Sequence, residues 1–152
     1  MIFTPALETD LPEILALQKL AFQSEAEALN DWTIQPMTET LSEIHAEFNL
    51  GPILKAVDEH TGKIVGSIRA QKKNETLLLG KLIVHPDFRR QKIALRLLDE
   101  IESSLPHLRT ELFTRADNLG NIALYRRAGF HIFKTEKIND RLSFVFFEKQ
   151  IN

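Results

Sequence analysis

The stretch Leu77-Leu78-Leu79-Gly80-Lys81-Leu82-Ile83-Val84 is apolar at nearly every position, and Pro86 stops it. Such a run is expected to be a strand buried on both faces, ended by a residue that has no N–H to give to a ladder. Directly after it, Ile93, Leu97, Ile101 and Leu105 recur every four residues, with Ala94 and Leu98 beside them. That spacing is the apolar stripe of an amphipathic helix. Arg109 to Thr114 then reads as a second strand, and the intervening helix makes it parallel to the first.

Arg89, Arg90, Gln91 and Lys92 form the junction between strand and helix. The first turn of a helix has N–H groups without intrahelical partners, and the macrodipole adds positive charge there, so a phosphate can be held at this point. Three cations in four residues strengthen the field. On these residues alone a solvated basic loop fits as well.

The chain has 152 residues, the length of one domain, with 43% hydrophobic and 26% charged residues, an ordinary globular balance. A net charge of −2 gives no general attraction to nucleic acid or to an anionic membrane. There is no cysteine, which removes disulfides, thiolate metal sites and cysteine nucleophiles together. No apolar run reaches the roughly 18 residues of a membrane span, and no signal-peptide pattern opens the chain, so a cytoplasmic location is the expectation. No metal is expected. Neither an internal repeat nor a linker is visible. His45-Ala-Glu47 matches the His-x-Glu of zinc deaminases only superficially, because the cysteine ligands are missing. No nucleophile elbow, zinc-protease motif or phosphate-binding Gly-Lys-Ser/Thr loop occurs. The acidic run Asp99-Glu100-Ile101-Glu102 argues against the basic helix reading DNA.

Before the apolar run, Ile2-Phe3-Thr4 reads as a short strand. Asp10 and Glu13 are placed for a capping box, with Pro12 in the first turn of a helix buried through Ile14, Leu17 and Ala21. Residues 30–40 read as a loop containing the only Trp, and Thr40 with Glu43 forms a second capping box before Leu41, Ile44 and Phe48. Gly51 suits the end of that helix. Ile53–Val57, Ile64–Gln71 and Leu77–Val84 are joined by short turns, as in an antiparallel meander. Gly80 marks a bulge or a close backbone approach. Phe130–Glu136 and Leu142–Lys149 read as a closing hairpin.

Two segments carry a family resemblance. Val84-His-Pro-Asp-Phe-Arg89-Arg-Gln-Lys92-Ile-Ala94 resembles the acetyl-CoA-binding motif of the GNAT N-acetyltransferases, a strand ending Val-x-Pro followed by Arg/Gln-x-x-Gly-x-Gly/Ala and a helix. Lys92 stands where that motif has glycine. Asn118-Leu-Gly-Asn121-Ile-Ala-Leu124-Tyr125-Arg-Arg-Ala-Gly129-Phe130 is similar to the family's Asn-x-x-Ala/Asn-x-x-Leu-Tyr-x-x-x-Gly-Phe and is the more specific of the two. The opening phrase Ala6-x-x-x-Asp10-Leu11-Pro12 also resembles GNAT N-termini.

The resemblance implies a GNAT (acyl-CoA N-acyltransferase) α/β fold over residues 1–152, a mixed central β-sheet of about six to seven strands flanked by about four helices. It implies transfer of the acetyl group of acetyl-CoA to a primary amine by direct attack in a ternary complex. Main-chain groups of Leu82, Ile83 and Val84 would meet the pantetheine arm and the acetyl oxygen. Arg89, Arg90, Gln91, Lys92, Ile93 and Ala94 would hold the pyrophosphate. Asn118, Asn121 and Tyr125 would complete the cofactor site, with Tyr125 giving the leaving sulfur its proton. A tyrosine with an ordinary pKa near 10 is protonated at neutral pH and can do so. Taken singly, Tyr125 also fits as a core aromatic.

By the same resemblance the loop over the acceptor site makes Asp31, Trp32 and Glu39 candidates for contacting the amine, although Trp32 would serve equally as a cover for the core. These acids lean towards a cationic small molecule as acceptor. Many GNAT members carry a glutamate base on the strand that here reads Leu79-Gly80-Lys81-Leu82. Glu39, Glu75, His85 and Glu111 are the remaining candidates, and none is singled out. With Lys92 in the loop and no evident base, the alternative is a weak or inactive GNAT-like domain that binds CoA or a partner protein. A homodimer is compatible with the family.

Overall fold

The computed structural model describes residues 1–151. Seven strands form one sheet: β1 (Ile2–Pro5), β2 (Ile53–Val57), β3 (Ile64–Lys73), β4 (Thr76–Val84), β5 (Arg109–Arg115), β6 (His131–Asn139) and β7 (Leu142–Gln150), in the order β1-β2-β3-β4-β5-β7-β6. Every neighbouring pair is antiparallel except β4 and β5, which run parallel across the helical connection. The helices are α1 (Leu11–Ala21), α2 (Gln23–Leu29), α3 (Gln35–Thr38), α4 (Leu41–Phe48), α5 (Ile93–Glu102) and α6 (Leu119–Arg127). Among the described residues no helix is long and apolar enough to cross a membrane.

The apolar stripe of α5 buries Ile93, Leu97, Leu98 and Ile101 against one face of the sheet, together with Leu54, Leu77, Leu112 and Phe147. Each such side chain contributes about 1.5–3 kcal/mol relative to exposure. Leu11, Ile14 and Leu17 of α1 and Ile44 of α4 cover the opposite face over Ile53, Ile64 and Ile83.

Several local expectations resolve differently. The Thr40–Glu43 capping box forms, with Glu43 N–H donating to Thr40 Oγ1 at 3.2 Å and Thr40 N–H to Glu43 Oε1 at 2.9 Å. The Asp10–Glu13 box does not. Asp10 instead accepts from Leu7 N–H and Lys55 Nζ, and Glu13 accepts at 2.7 Å from the Ile64 N–H that opens β3. A long-range donor reaches each carboxylate, Lys55 at Asp10 and Ile64 at Glu13, and Asp10 also closes the 3₁₀ turn just before α1 through Leu7 N–H. Residues 35–38, read as loop, close one helical turn with Pro36 near its start, where proline's missing N–H costs nothing. Gly51 is required by proximity, since a Cβ there would lie 2.0 Å from the Ala70 carbonyl oxygen.

Candidate functional site

The site is a gap that opens within the sheet. β4 and β5 pair only through Thr76–Arg109, Leu77–Thr110 and Leu78–Glu111. Beyond Leu78 the β5-facing edge of β4 has no strand partner, so its main-chain N–H and C=O groups lie open to a ligand in the cleft.

A bulge shapes the same stretch. Ser67 pairs with Ile83, whereas Arg69 pairs with Gly80, so β4 carries one extra residue. Lys81, not Gly80, takes the left-handed conformation (φ 51°), and a Cβ on Gly80 would meet nothing within 4 Å. The extra residue flips the alternation of side chains. Leu77 and Leu79 join the core under α5, whereas Ile83 joins the core under α1 and Leu82 and Val84 turn to the α5 side.

After the strand, a 3₁₀ turn at Pro86–Phe88 leads into the basic loop. Arg90 (φ 66°) and Lys92 (φ 62°) are both left-handed, a conformation that costs an L-residue roughly 1–2 kcal/mol. That is the physical reason a glycine would suit position 92. Lys92 caps α5, and the first N–H to close back onto the loop is that of Arg96, on the Lys92 carbonyl at 3.1 Å. The N–H groups of Ile93, Ala94 and Leu95 make no such bond and carry the positive end of the helix dipole. This loop, Leu82–Val84 and the start of α6 enclose a cavity of about 830 Å³. Arg89, Arg90, Lys92, Ile93, Ala94, Asn118 and Asn121 lie on its wall; Gln91 is exposed and does not.

Asn118 caps α6 through its side chain, which accepts from Asn121 N–H at 3.0 Å, and Asn121 Nδ2 donates to Thr114 Oγ1 at 3.1 Å. The helix is thereby pinned to the splayed end of β5. Gly129 (φ 97°) turns the chain back, and Phe130 N–H bonds the Tyr125 carbonyl at 3.0 Å. The Tyr125 ring is buried edge-on to Phe147 and Phe130, with centroids 5.4 and 6.3 Å away. Its hydroxyl makes no hydrogen bond among the described residues and lines a second cavity of about 690 Å³. Burial, reinforced by the nearby charge of Glu25, pushes the phenol well above its ordinary range.

The second cavity adjoins the first through shared walls at Phe22, Glu25, Leu82, Arg115 and Asn121. Of the three residues expected to meet an acceptor, none lies on it. Asp31 and Trp32 are exposed, and the Asp31 carboxylate accepts from Thr33 N–H and Oγ1. Glu39 is sealed behind the wall in a buried network. Arg69 Nη2 and Nη1 donate to its two oxygens at 2.9 and 3.1 Å, and Gln18 Nε2 adds a bond at 3.0 Å. Burial alone would push the Glu39 carboxyl up; the Arg69 and Gln18 bonds outweigh it and hold the group at about 2. Arg69 also pairs with Glu47 and with Gln18 Oε1. A loop acid that looked available in the sequence is therefore spent in the core. Glu75, His85 and Glu111 also lie off both cavities.

Two ionisable groups on these walls carried no sequence signal. Glu25, half-buried on α2, is the carboxylate among the described residues that lines both cavities. Its Oε1 lies 3.7 Å from Arg115 Nη1, and Arg115 is held by Asp117 at 2.7 Å. Burial pushes the Glu25 carboxyl up, with Arg115 opposing. Lys81, presented by the bulge, makes no ion pair or hydrogen bond among the described residues. Burial pushes its ammonium down, opposed first by the Glu39 charge.

A mixed sheet splits between two parallel strands, with a basic helix start on one side and a capped tyrosine helix on the other. Residues 11–130 match the family model described as "Acetyltransferase (GNAT) family", and the chain belongs to that family. It is 31% identical over 126 residues to the UPF0157 protein YqkA of Bacillus subtilis (strain 168), covering 82% of this chain and 36% of that one. The chain thus spans little more than a third of that relative. The ribosomal-protein-alanine N-acetyltransferase of Brucella melitensis superposes with a TM-score of 0.78 at 23% identity, covering 99% of this chain and 100% of that one. The phosphinothricin acetyltransferase of Sinorhizobium meliloti, solved in complex with AcCoA, gives 0.78 at 19%, covering 99% and 88%. At these identities the two likenesses establish the fold, whose mixed seven-stranded sheet is the expected one.

Proposed function

We propose that this protein is an N-acetyltransferase that passes the acetyl group of acetyl-CoA to a primary amine within a ternary complex. The observation that carries the reading is the unpaired edge of β4 beyond Leu78, opening between two adjoining cavities. A linear cofactor bearing amides and a pyrophosphate matches such an edge followed by free helix N–H groups. Acetyl-CoA, when bound, supplies an activated thioester.

Main-chain groups of Leu82, Ile83 and Val84 hold the arm of the cofactor. Ile93 and Ala94 offer N–H groups to the pyrophosphate, flanked by the cations of Arg89, Arg90 and Lys92. Asn118 and Asn121 fix α6, which carries Tyr125 onto the wall of the second cavity. Like any tyrosine at or above its ordinary pKa, Tyr125 is protonated over the physiological range, so it can donate to the departing sulfur. An alkylamine arrives mostly as ammonium and must lose a proton before it attacks. Glu25 takes that proton at the junction of the cavities, where its raised pKa makes it a better base than a surface carboxylate.

Calorimetric titration with acetyl-CoA, set against dephosphorylated pantetheine and followed by thiol release with a panel of amines, tests the reading. Tight, phosphate-dependent binding and amine-dependent release are expected. Binding without release would instead favour a CoA-binding module, and no binding would remove both.

A further inference from the structure

The acceptor cavity has a composition that selects among amines. Its body is apolar, with Phe22, Leu29, Ile34, Leu79, Phe113 and Phe144 on the wall. Both carboxylates that reach it are engaged by arginine: Glu47 with Arg69, and Glu25 with Arg115. Lys81 is the wall cation without a partner among the described residues, and it is part-buried. A polyamine or amino-sugar entering here would have to bury charge or hydroxyls beyond the reacting amine, which is costly. With Glu47 spent on Arg69, no carboxylate among the described residues besides Glu25 lines the cavity to receive them. An acceptor bearing a carboxylate would meet an unpaired ammonium in a low-dielectric site, where a charge-assisted hydrogen bond is strong.

Position decides the spacing. Lys81 is the left-handed residue of the β4 bulge, and its neighbour Leu82 lines both cavities. A carboxylate held at Lys81 therefore binds one residue along β4 from the wall that the two cavities share. We infer that the acceptor is an amino acid with an apolar side chain, its carboxylate bound by Lys81 and its side chain seated among the leucines and phenylalanines. This rests on the acetyl-transfer reading above and reverses the lean towards a cationic acceptor drawn from Asp31 and Glu39. The depressed basicity of Lys81 agrees with a cation waiting for its counter-ion, since a bound carboxylate would restore it.

The test compares acetylation of phenylalanine, phenethylamine and spermidine by the purified protein. Phenylalanine should exceed phenethylamine in kcat/KM by about tenfold or more. Lys81→Met should remove most of that advantage through KM, and Lys81→Glu should reverse it. Neither variant alters the left-handed demand at position 81, which both bear as lysine does. A wild-type preference for phenethylamine or spermidine, or a phenylalanine preference that survives Lys81→Met, overturns the inference. Should no acceptor turn over, N-acetylphenylalanine is titrated into the protein–CoA complex. Binding that is lost in Lys81→Met supports the assignment, and absence of binding overturns it while leaving the cofactor reading intact. Failure to bind acetyl-CoA at all brings down both.

Discussion

The two cavities meet at Glu25, Leu82, Arg115 and Asn121, yet they are built by opposite means. The proposed cofactor side is largely two contiguous segments, Leu82–Leu95 and Arg115–Arg127, and what it offers a ligand is mainly main-chain groups that strand splaying and helix geometry leave free. The acceptor side draws single side chains from positions between Phe22 and Phe144, supported behind the wall by the Arg69–Glu39 network. Main-chain recognition tolerates sequence change as long as the backbone path survives. Side-chain recognition changes with each substitution, so the proposed reading puts specificity on the acceptor side.

The sharpest way to break this contrast is Arg69→Met. It strands Glu39 at 3% exposure and frees Glu47 and Gln18, and loss of one partner of a buried pair costs about 3–5 kcal/mol. Urea unfolding should show that loss; a change near zero would mean that the network does not support the acceptor wall. Next in size, Tyr125→Phe should lower kcat about a hundredfold while calorimetry finds acetyl-CoA affinity unchanged, and an unchanged kcat would remove the tyrosine from proton transfer.

Acid sensitivity probes the same network more gently. The Glu39 carboxyl lies below its ordinary value of 4.5, at about 2. Its stabilisation is fully present above pH 4.5 and is lost as the pH falls through 2. Glu39→Gln should flatten the acid limb of the stability curve over that window. Smallest of all, Lys92→Gly should change stability by no more than about 1 kcal/mol, because relief of the left-handed strain is set against the greater chain entropy of glycine. The same variant should weaken acetyl-CoA binding only a few-fold if main-chain N–H groups carry the pyrophosphate. A loss comparable to that of a buried charge pair would show that the Lys92 ammonium carries it instead.

Much of this was legible along the chain. The apolar run to Val84, the α5 stripe from Ile93 to Ile101, the Thr40–Glu43 cap and the Asn118–Phe130 pattern each depend on neighbours within a few residues, and each formed. However, α5 stops at Glu102, short of Leu105, and the run is buried only at Leu77, Leu79 and Ile83 rather than on both faces throughout. Glu39 and Glu25 were not legible. One is a loop acid that the fold buries against an arginine 30 residues away; the other is an undistinguished helix acid that the fold sets between two cavities. The local alternation likewise could not say that Lys81 rather than Gly80 would carry the bulge, because that choice follows from the register with β3.

Sequence alone therefore determined the apolar strand, the helices that begin at Leu11, Leu41 and Ile93, the basic helix start and the helix that carries the tyrosine, since periodicity, capping and turn chemistry act over one or two turns of chain. Only the tertiary structure decided where β4 and β5 part, which carboxylates are spent and which cation is left unpaired. Those are outcomes of long-range pairing and burial, and a charge acquires its role only when its distant neighbours and its exposure to water are fixed.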